Sequence, residues 1–330
     1  MKRPFNISRR RLLLSLPALA IAPRVFGQSA NPPIRVKGIN HVTLHVSDLK
    51  RSVDFYQGLF GMPVINRQGA TSASLAIGSG PQHLGLSAAD AAGPRIDHIC
   101  LAVENFNVDR FKAILAQHGV TNVQVRMRDK TPEFFFSDPD GILMQLQDPR
   151  YCGGSGALGD VCPRPEPSPK KGLMSLRNWS HCTNFVSDGP RSNKFYQDLF
   201  GLTPQAFQGP GAPVMGLGDR IQFLMFAGGG NRGGAAPRPG SINHLCMSMD
   251  NFEPEKVIKS LESYGIKPRG NAQGTPGPLV HYISLRMENR GGAKEGTPEL
   301  YFTDPDGLLI QLQDSKYCGG GGVLGEICTA

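Results

Sequence analysis

Residues 132–162 read PEFFFSDPDGILMQLQDPRYCGGSGALGDVC, and residues 298–328 read PELYFTDPDGLLIQLQDSKYCGGGGVLGEIC. The two segments align without a gap, so the chain contains two copies of one unit. Polar residues that recur in both copies are candidates for a site. Residues present in one copy only are candidates for a division of chemistry between the copies.

The repeat continues upstream of these segments. Residues 38–62 correspond to residues 178–202, and residues 96–106 correspond to residues 242–252. Each copy is then about 120 to 145 residues long, which is the usual size of one domain. The predicted organisation is an export segment at 1–27, a first domain at 37–150, a Cys/Gly tail with a proline-rich linker at 151–173, a second domain at 174–316 and a final Cys/Gly tail at 317–330.

The N-terminal segment has the pattern of an exported protein. Residues 8–13 (SRRRLL) resemble the motif that the twin-arginine export machinery recognises. The apolar run at 12–22 is shorter than the roughly 20 residues that a membrane span requires, and residues 25–27 (VFG) suit cleavage. We therefore expect a cleaved signal, no stable membrane span after cleavage, and a periplasmic or secreted protein. An uncleaved membrane anchor is the alternative.

The charge balance argues against a nucleic-acid partner. The formal net charge is +8, but residues 2–24 hold six cations and no acidic residue, which leaves +2 for the remainder of the chain. Nucleic-acid-binding domains usually carry a basic patch, and no cluster of lysine or arginine interleaved with aromatic residues follows residue 27. The expected partner is a small-molecule substrate; assembly into a homo-oligomer is left open.

Each copy predicts the same order of secondary structure twice. NHVTLHV at 40–46 alternates like a half-buried strand, and a helix begins near Asp48 and ends at Gly61. Short strand-like runs follow, the order restarts at residue 96, and a DPDG turn at 138–141 joins the last two strands. The expected fold class is α+β, with paired βαβββ modules in each copy.

These motifs resemble those of the vicinal oxygen chelate (VOC) superfamily, which includes glyoxalase I, extradiol dioxygenases and the fosfomycin and bleomycin resistance proteins. The resemblance rests on NHVTLHV, on the helix end FYQGLFG, on IDHICLAV and on the pattern FxDPDGxxxQL. It covers nearly the whole chain after the export segment, twice. It implies two tandem VOC domains, each a half-barrel around a divalent metal.

The resemblance assigns three metal ligands to each copy. Neutral imidazole is a common metal ligand, and rigid strands can aim several ligands at one point. Both copies have glutamine where the family usually has glutamate, so the site loses one negative charge and metal affinity should fall. Fe(II) is the favoured metal, with Mn(II), Zn(II) and Ni(II) as alternatives. The assigned ligands are His41, His98 and Gln145 in the first copy and His181, His244 and Gln311 in the second.

Two glutamates are candidates to compensate for the missing carboxylate. Glu133 and Glu299 precede the DPDG turns and share a strand face with residues 135 and 301. They are candidates for a ligand, an orienting group or a base, and a carboxylate that faces water is the equal alternative. Arg126 and Arg286 align on the preceding strand, where they either hold an anionic substrate or lie at the surface.

The proposed catalytic groups differ between the copies. Tyr301 matches a tyrosine that assists ring cleavage in extradiol dioxygenases, and the first copy has Phe135 there. His83 matches an acid–base histidine of those enzymes or a further ligand of glyoxalases, and the second copy has Phe223 there. His281, in a segment of the second copy that has no counterpart in the first, is a candidate proton donor.

The repeated CGGxGxLGxxC tails predict two local disulfides, since each holds two cysteines and no histidine. The expected pairs are Cys152 with Cys162 and Cys318 with Cys328. Metal binding by the tails is the alternative.

The leading functional hypothesis is a metal-dependent dioxygenase that acts with O₂ on a small, vicinal-oxygen substrate, with a catechol as one candidate. A lyase or isomerase of the glyoxalase kind is the enzymatic alternative. A non-catalytic protein that binds or sequesters a small molecule is the third, for which weak metal ligation carries no penalty.

Overall fold

The structure is a computed structural model, and it describes residues 31–218, 221–228, 240–271 and 273–328. The predicted export segment at 1–27 lies outside the described residues. In the part of the chain that is described, no helix combines the length and the apolar character needed to cross a bilayer.

The first copy folds into two βαβββ modules that share one sheet. Its elements are β1 (Val36–Val46), α1 (Leu49–Phe60), β2 (Val64–Gln68), β3 (Ser72–Ala76), β4 (His83–Ala88), β5 (Arg95–Val103), α2 (Val108–Gln117), β6 (Val123–Arg128), β7 (Thr131–Ser137) and β8 (Leu143–Gln147). The first strands of the two modules, β1 and β5, pair antiparallel at the centre, and each also pairs in parallel with the last strand of its own module. The strand order is β2-β3-β4-β1-β5-β8-β7-β6, so β2 and β6 form the edges.

The second copy repeats this arrangement with one short extra strand. Its elements are β9 (Asn178–Val186), α3 (Gly189–Phe200), β10 (Pro204–Phe207), β11 (Pro213–Gly216), β12 (Phe223–Gly228), β13 (Ser241–Met249), α4 (Pro254–Ser263), β14 (Lys267–Pro268), β15 (Val280–Arg286), a 3-10 turn (Glu288–Arg290), β16 (Thr297–Thr303) and β17 (Leu309–Asp314). The order is β10-β11-β12-β9-β13-β17-β16-β15-β14. The predicted α+β fold, with paired βαβββ modules in tandem, is confirmed.

Helix α1 begins and ends as its sequence predicts. The Asp48 side chain accepts a hydrogen bond from the backbone N–H of Arg51 at 2.9 Å, which caps the first turn. Gly61 ends the helix at φ 67°, a left-handed conformation that glycine adopts without steric cost. In the second copy Asp188 and Gly201 cap α3 in the same way, so this geometry is duplicated with the sequence.

The two copies hold each other through their DPDG turns, in a contact that we call the DPDG clasp. Tyr56 on α1 donates its hydroxyl to Asp304 of the second copy at 3.1 Å, and Tyr196 on α3 donates to Asp138 of the first at 3.2 Å. Both aspartates also accept two backbone N–H groups of their own turn. Burial raises the pKa of Asp138 and of Asp304 to about 6.

The last aspartate of each turn completes the clasp. Asp140 accepts from the backbone and hydroxyl of Ser187 and pairs with Arg191 at 2.9 Å. Asp306 makes the equivalent contacts with Ser47 and Arg51. The DPDG residues therefore form an interface between the copies as well as a turn.

One hydrophobic core runs through both copies. Phe136 of the first copy lies 6.3 Å, centroid to centroid, from Phe200 of the second, and Phe60 lies 6.1 Å from Phe302. The copies therefore pair within one chain, and each copy's helix side is covered by the other.

Candidate metal centres

The predicted ligands of the first copy come together on one face of the central strands. His41 lies on β1, His98 on β5 and Gln145 on β8, and these strands are direct neighbours in the sheet. His41 Nε2 is 3.0 Å from Gln145 Oε1, and the rings of His41 and His98 meet edge to face with centroids 5.5 Å apart. His98 Nε2 is buried without a hydrogen-bond partner among the described residues.

The second copy arranges the equivalent atoms in the same way. His181 Nε2 lies 3.1 Å from Gln311 Oε1 and 3.4 Å from His244 Nε2. The Nε2 atom of Gln311 is buried, and within the described ranges it has no hydrogen-bond partner. Two imidazole nitrogens and an amide oxygen therefore face one point.

The outer nitrogens of the histidines are held by the residues that precede them. His98 Nδ1 is 2.9 Å from Asp97 Oδ2, and His244 Nδ1 is 2.7 Å from Asn243 Oδ1. His41 Nδ1 is likewise 2.8 Å from the Oδ1 atom of Asn40. An acceptor oxygen at Nδ1 favours the tautomer with its proton there, which leaves the Nε2 lone pair free for a metal.

Burial keeps three of these imidazoles, those of His41, His181 and His244, neutral near pH 7. It lowers the pKa of His41 and of His181 well below the ordinary value, and it lowers the pKa of His244 to about 4. A neutral imidazole is the form that coordinates a cation, so the protonation state suits a metal centre.

One position beside the centre differs in chemistry between the copies. His83 on β4 pairs with His41 on β1, and the two rings stack with centroids 4.5 Å apart. In the second copy Phe223 occupies the matching register position and stacks on His181 at 4.3 Å. Burial lowers the pKa of His83 to about 4, so it stands beside His41 as a neutral group. The first copy thus has a third imidazole where the second has an apolar wall.

The structure brings Tyr301 to the second centre. Its ring meets His244 edge to face at 5.4 Å, its hydroxyl donates to Glu299 at 3.3 Å, and Tyr282 stacks on its outer face at 5.0 Å. In the first copy Phe135 meets His98 in the same way at 5.3 Å. Burial, with a smaller contribution from Glu299, raises the pKa of Tyr301 well above its usual value.

His281 does not join this group. Neighbouring residues of a strand point to opposite faces, and Tyr282 already faces Tyr301. His281 is buried on the side of α4, where its Nε2 lies 3.4 Å from Glu262 Oε1. The sequence placed it in a loop, but it belongs to β15, and the strand alternation turns it away from the centre.

Glu133 shares a strand face with Phe135, and Glu299 shares one with Tyr301, as the side-chain period of two predicts. Each carboxylate, however, accepts hydrogen bonds from an arginine and a tyrosine. Glu133 accepts from Arg128 and from the Tyr151 hydroxyl at 2.8 Å. These contacts suit an orienting group better than a metal ligand.

The equivalent group in the second copy is fully enclosed. Glu299 Oε1 accepts from Arg286 Nε at 2.8 Å and from the Tyr317 hydroxyl at 3.2 Å. Arg286 is 0% exposed, and its two terminal nitrogens donate to the carbonyls of Gly291 and Gly320. Its charge is therefore balanced by Glu299 inside the protein.

The sequence alignment of Arg126 with Arg286 is wrong. Arg128 pairs with Thr131 across β6 and β7, and Arg286 pairs with Thr297 across β15 and β16, so Arg128 is the true equivalent. Tyr151 and Tyr317, which contact the two glutamates, were not among the residues predicted from the sequence. The signal was present, because TPE and YCGG recur in both copies.

Both predicted disulfides, Cys152–Cys162 and Cys318–Cys328, are confirmed. Cys100, Cys182 and Cys246 are buried free thiols. Burial raises the pKa of each, which keeps the sulfur protonated and makes it a poor ligand.

Each candidate centre needs its glutamine as the third donor. Within the described part of the chain no three side chains drawn from His, Cys, Asp and Glu converge on a metal position. The residues present do fit a divalent cation, because neutral donors face inward. His98 Nε2 has no partner among the described residues at the first centre, and His181 Nε2 faces both Gln311 Oε1 and His244 Nε2 at the second.

A cavity of about 660 Å³ lies between the copies, apart from the donor atoms. Asp97 and Asn243, which hold the outer nitrogens of His98 and His244, line it together with Arg269 and Tyr282. The cavity therefore lies next to both centres, on the side where the Nδ1 atoms of His98 and His244 are held.

The sequence is similar to a known family and to a curated relative. Residues 38–146 match the model of the Glyoxalase/Bleomycin resistance protein/Dioxygenase superfamily. The metallothiol transferase FosB of Shouchella clausii (strain KSM-K16) is 31% identical over 124 residues, which are 34% of this chain and 80% of that protein.

Two solved structures share the fold over most of both chains. A Mn(II)-bound glyoxalase from Novosphingobium aromaticivorans has a TM-score of 0.59 at 20% identity and covers 84% of this chain and 82% of its own. A catechol 2,3-dioxygenase has a TM-score of 0.60 at 17% identity, with coverage of 87% and 88%. At these identities the similarity establishes the fold alone. Together with the family match and the 31% identical relative, it shows that the chain belongs to the glyoxalase/bleomycin resistance protein/dioxygenase superfamily, the VOC superfamily.

Proposed function

We propose that the protein is a divalent-metal-dependent dioxygenase of small substrates with two neighbouring oxygen atoms, and that the second copy carries the chemistry. The observation behind this proposal is the convergence of His181 Nε2, His244 Nε2 and Gln311 Oε1 within 3.4 Å, with Tyr301 packed against His244. Fe(II) is the metal we favour, since two histidines and one oxygen donor leave open positions for substrate and O₂.

A bound cation would supply a Lewis-acidic point for two adjacent substrate oxygens and for O₂. The chain's own side chains position the substrate and supply protons to it. Tyr301 keeps its hydroxyl proton because burial raises its pKa, so it is a hydrogen-bond donor near neutral pH. Phe223 closes the side that His83 occupies in the first copy and excludes water there.

Glu299 fixes the orientation of the Tyr301 hydroxyl beside the second centre. This carboxylate accepts from Tyr301 on one oxygen and from Tyr317 and Arg286 on the other. Arg286 stabilises the carboxylate form. Because Glu299 is also the partner that balances the charge of buried Arg286, it serves as an orienting group for Tyr301.

The test combines metal content with oxygen uptake. Full-length protein purified through its native export route is measured for iron, manganese, zinc and nickel, and then for O₂ consumption with catechol and substituted catechols. We expect His244→Ala to abolish O₂ uptake and to remove one metal per chain, while His98→Ala removes metal from the first copy only. Absence of metal from the wild-type protein, together with no O₂ uptake after anaerobic Fe(II) addition, sinks the proposal.

A second candidate function is favoured by the first copy. The third imidazole, His83, stands beside His41 and offers either a fourth donor or a base for an isomerase or lyase of the glyoxalase kind. This reaction consumes no O₂. We expect it to disappear in His83→Ala and to survive in Tyr301→Phe, the reverse of the dioxygenase pattern. Saturable binding of a small molecule without turnover is the outcome that identifies a sequestering protein.

We also propose that the protein is exported by the twin-arginine route to the periplasm or beyond. The disulfides support this proposal, because they persist in oxidising compartments. Arg9→Lys/Arg10→Lys should leave the protein in the cytoplasmic fraction; unchanged localisation contradicts the proposal.

A further inference from the structure

The two disulfide-closed tails, residues 151–162 and 317–328, each connect strands from opposite ends of a sheet. In the first copy the Gly153 carbonyl accepts from Asn66 on the edge strand β2 and from Arg128 on the edge strand β6, the latter at 2.9 Å. A half-barrel is open between its edge strands. The first tail therefore spans the open side.

The second tail connects the edge strand β10 to β15, which lies one strand inside the other edge strand, β14. Gln205 on β10 donates to the Cys318 carbonyl at 2.9 Å, and Arg286 on β15 donates to the Gly320 carbonyl at 2.9 Å. The arginine is kept at equivalent positions, while the partner on the other side changes from Asn66 to Gln205. Closure of the half-barrel is therefore the shared property of the two tails.

Each tail places a tyrosine ring beside the histidines. Tyr151 lies 5.6 Å from His41 and 6.3 Å from His83, centroid to centroid, and Tyr317 lies 5.6 Å from His181. Both tyrosines are almost fully buried, with 3% and 1% of their surface exposed. Their hydroxyls reach the buried glutamates, so the rings fill the space next to the candidate centres.

The disulfides are arranged so that a reductant can reach them from outside. Cys152 and Cys318 are buried under the tail, at 6% and 2% exposure, whereas Cys162 and Cys328 are partly exposed. Attack on the outer sulfur is thus open to a solvent-borne thiolate.

We infer that each tail is a redox lock on its half-barrel. In the oxidised form the disulfide holds the tyrosine against the histidines and closes the half-barrel. A dithiol reductant gives two electrons and two protons to the bridge, becomes a disulfide itself and leaves two cysteine thiols. The freed tail then opens, and small molecules reach the histidines.

Histidine labelling tests the lock. Full-length protein is treated with diethyl pyrocarbonate before and after reduction by dithiothreitol, and modified histidines are identified by peptide mass spectrometry. We expect reduction to raise the labelling rate of His41, His83, His181 and His244 by at least about tenfold and reoxidation to restore protection. His118, half-buried at the C-terminal cap of α2, should label equally in both states.

Copy-specific variants provide the matched control. Cys318→Ser/Cys328→Ser frees only the second tail, so labelling should rise at His181 and His244 while His41 and His83 stay protected. A chelator-treated sample labelled in parallel separates protection by a bound cation from protection by the tail. The lock can therefore be judged even if the proposed dioxygenase activity fails.

Two outcomes overturn the inference. In the first, iodoacetamide captures all four tail thiols while the histidine rates stay unchanged, so the tail stays closed without its disulfide. In the second, every histidine including His118 becomes reactive and cooperative unfolding is lost. The bridges are then staples of the fold, not locks.

Discussion

At the scale of single residues, the chemistry of the centres depends on a neutral donor set. Gln311 presents an amide oxygen to His181, and the nearest carboxylate on this face, Glu299, is engaged by Arg286. A cation at this point gains no charge neutralisation from its oxygen donor. From this donor set we expect a weak affinity for a divalent cation.

The first prediction concerns this donor. Gln311→Glu should strengthen binding of Mn(II) or Fe(II) at the second centre by at least about tenfold, because the new carboxylate attracts the cation in a buried site. Calorimetric titration measures the change, with the exposed Gln117→Glu as a control for total charge. Equal affinities for wild type and Gln311→Glu mean that residue 311 is not a metal ligand.

At the scale of elements, the tails pack around their tyrosines. A Cβ added to Gly325 lies 2.5 Å from the Tyr317 ring, and the backbone there has φ +69°. Gly159 faces Tyr151 in the same way. Only glycine combines the left-handed backbone with this close approach, which explains why the LG pair recurs in both tails.

The second prediction follows from that packing. Gly325→Ala should lower the free energy of unfolding by more than about 2 kcal/mol, since it adds a steric clash to backbone strain. Gly141→Ala is the matched control, because Gly141 also has a positive φ but nothing lies within 4 Å of the added carbon. Its expected cost is about 1 kcal/mol. Urea unfolding of both variants makes the comparison, and equal losses contradict the tight packing on Tyr317.

At the scale of the whole molecule, the DPDG clasp makes the pairing of the copies depend on pH. Asp138 and Asp304 are buried between the copies, and each has a pKa of about 6. The unfolded chain releases these protons near pH 4, so the native state binds them more tightly. The contribution of these two aspartates to the free energy of unfolding is therefore fully present below about pH 4, and it is lost as the pH rises to about 6.

The third prediction isolates this contribution. The free energy of unfolding of Asp304→Asn, measured relative to that of wild type, should rise by about 2 kcal/mol from about pH 4.5 to about pH 7.5. The reason is that asparagine carries no charge to bury. The buried histidines lose stability as the pH falls, but they do so equally in both proteins. Urea unfolding at both pH values provides the data, with the exposed Asp109→Asn as control. If the difference in unfolding free energy between Asp304→Asn and wild type is the same at both pH values, the pKa of Asp304 is not raised.

The sequence by itself determined the features that repeat within an element or between the copies. Periodicity of two and the capping residues predicted the strands and helices, and the duplication predicted the two pairs of histidines with their glutamines. Cysteine spacing of ten residues predicted both disulfides, because a bridge that short depends only on local chain geometry.

Only the tertiary structure decided which groups from distant elements meet. Glu299 was visible as a candidate in the sequence, but its pairing with Arg286 and Tyr317 depends on strand register and on the path of the tail. The side chain of His281 points away from the second centre for the same reason. Successive residues of β15 face opposite sides of the sheet, and Tyr282 takes the side of the centre. Contacts of this kind arise when a sheet curls and its edges are bridged, and no spacing within one segment encodes that closure.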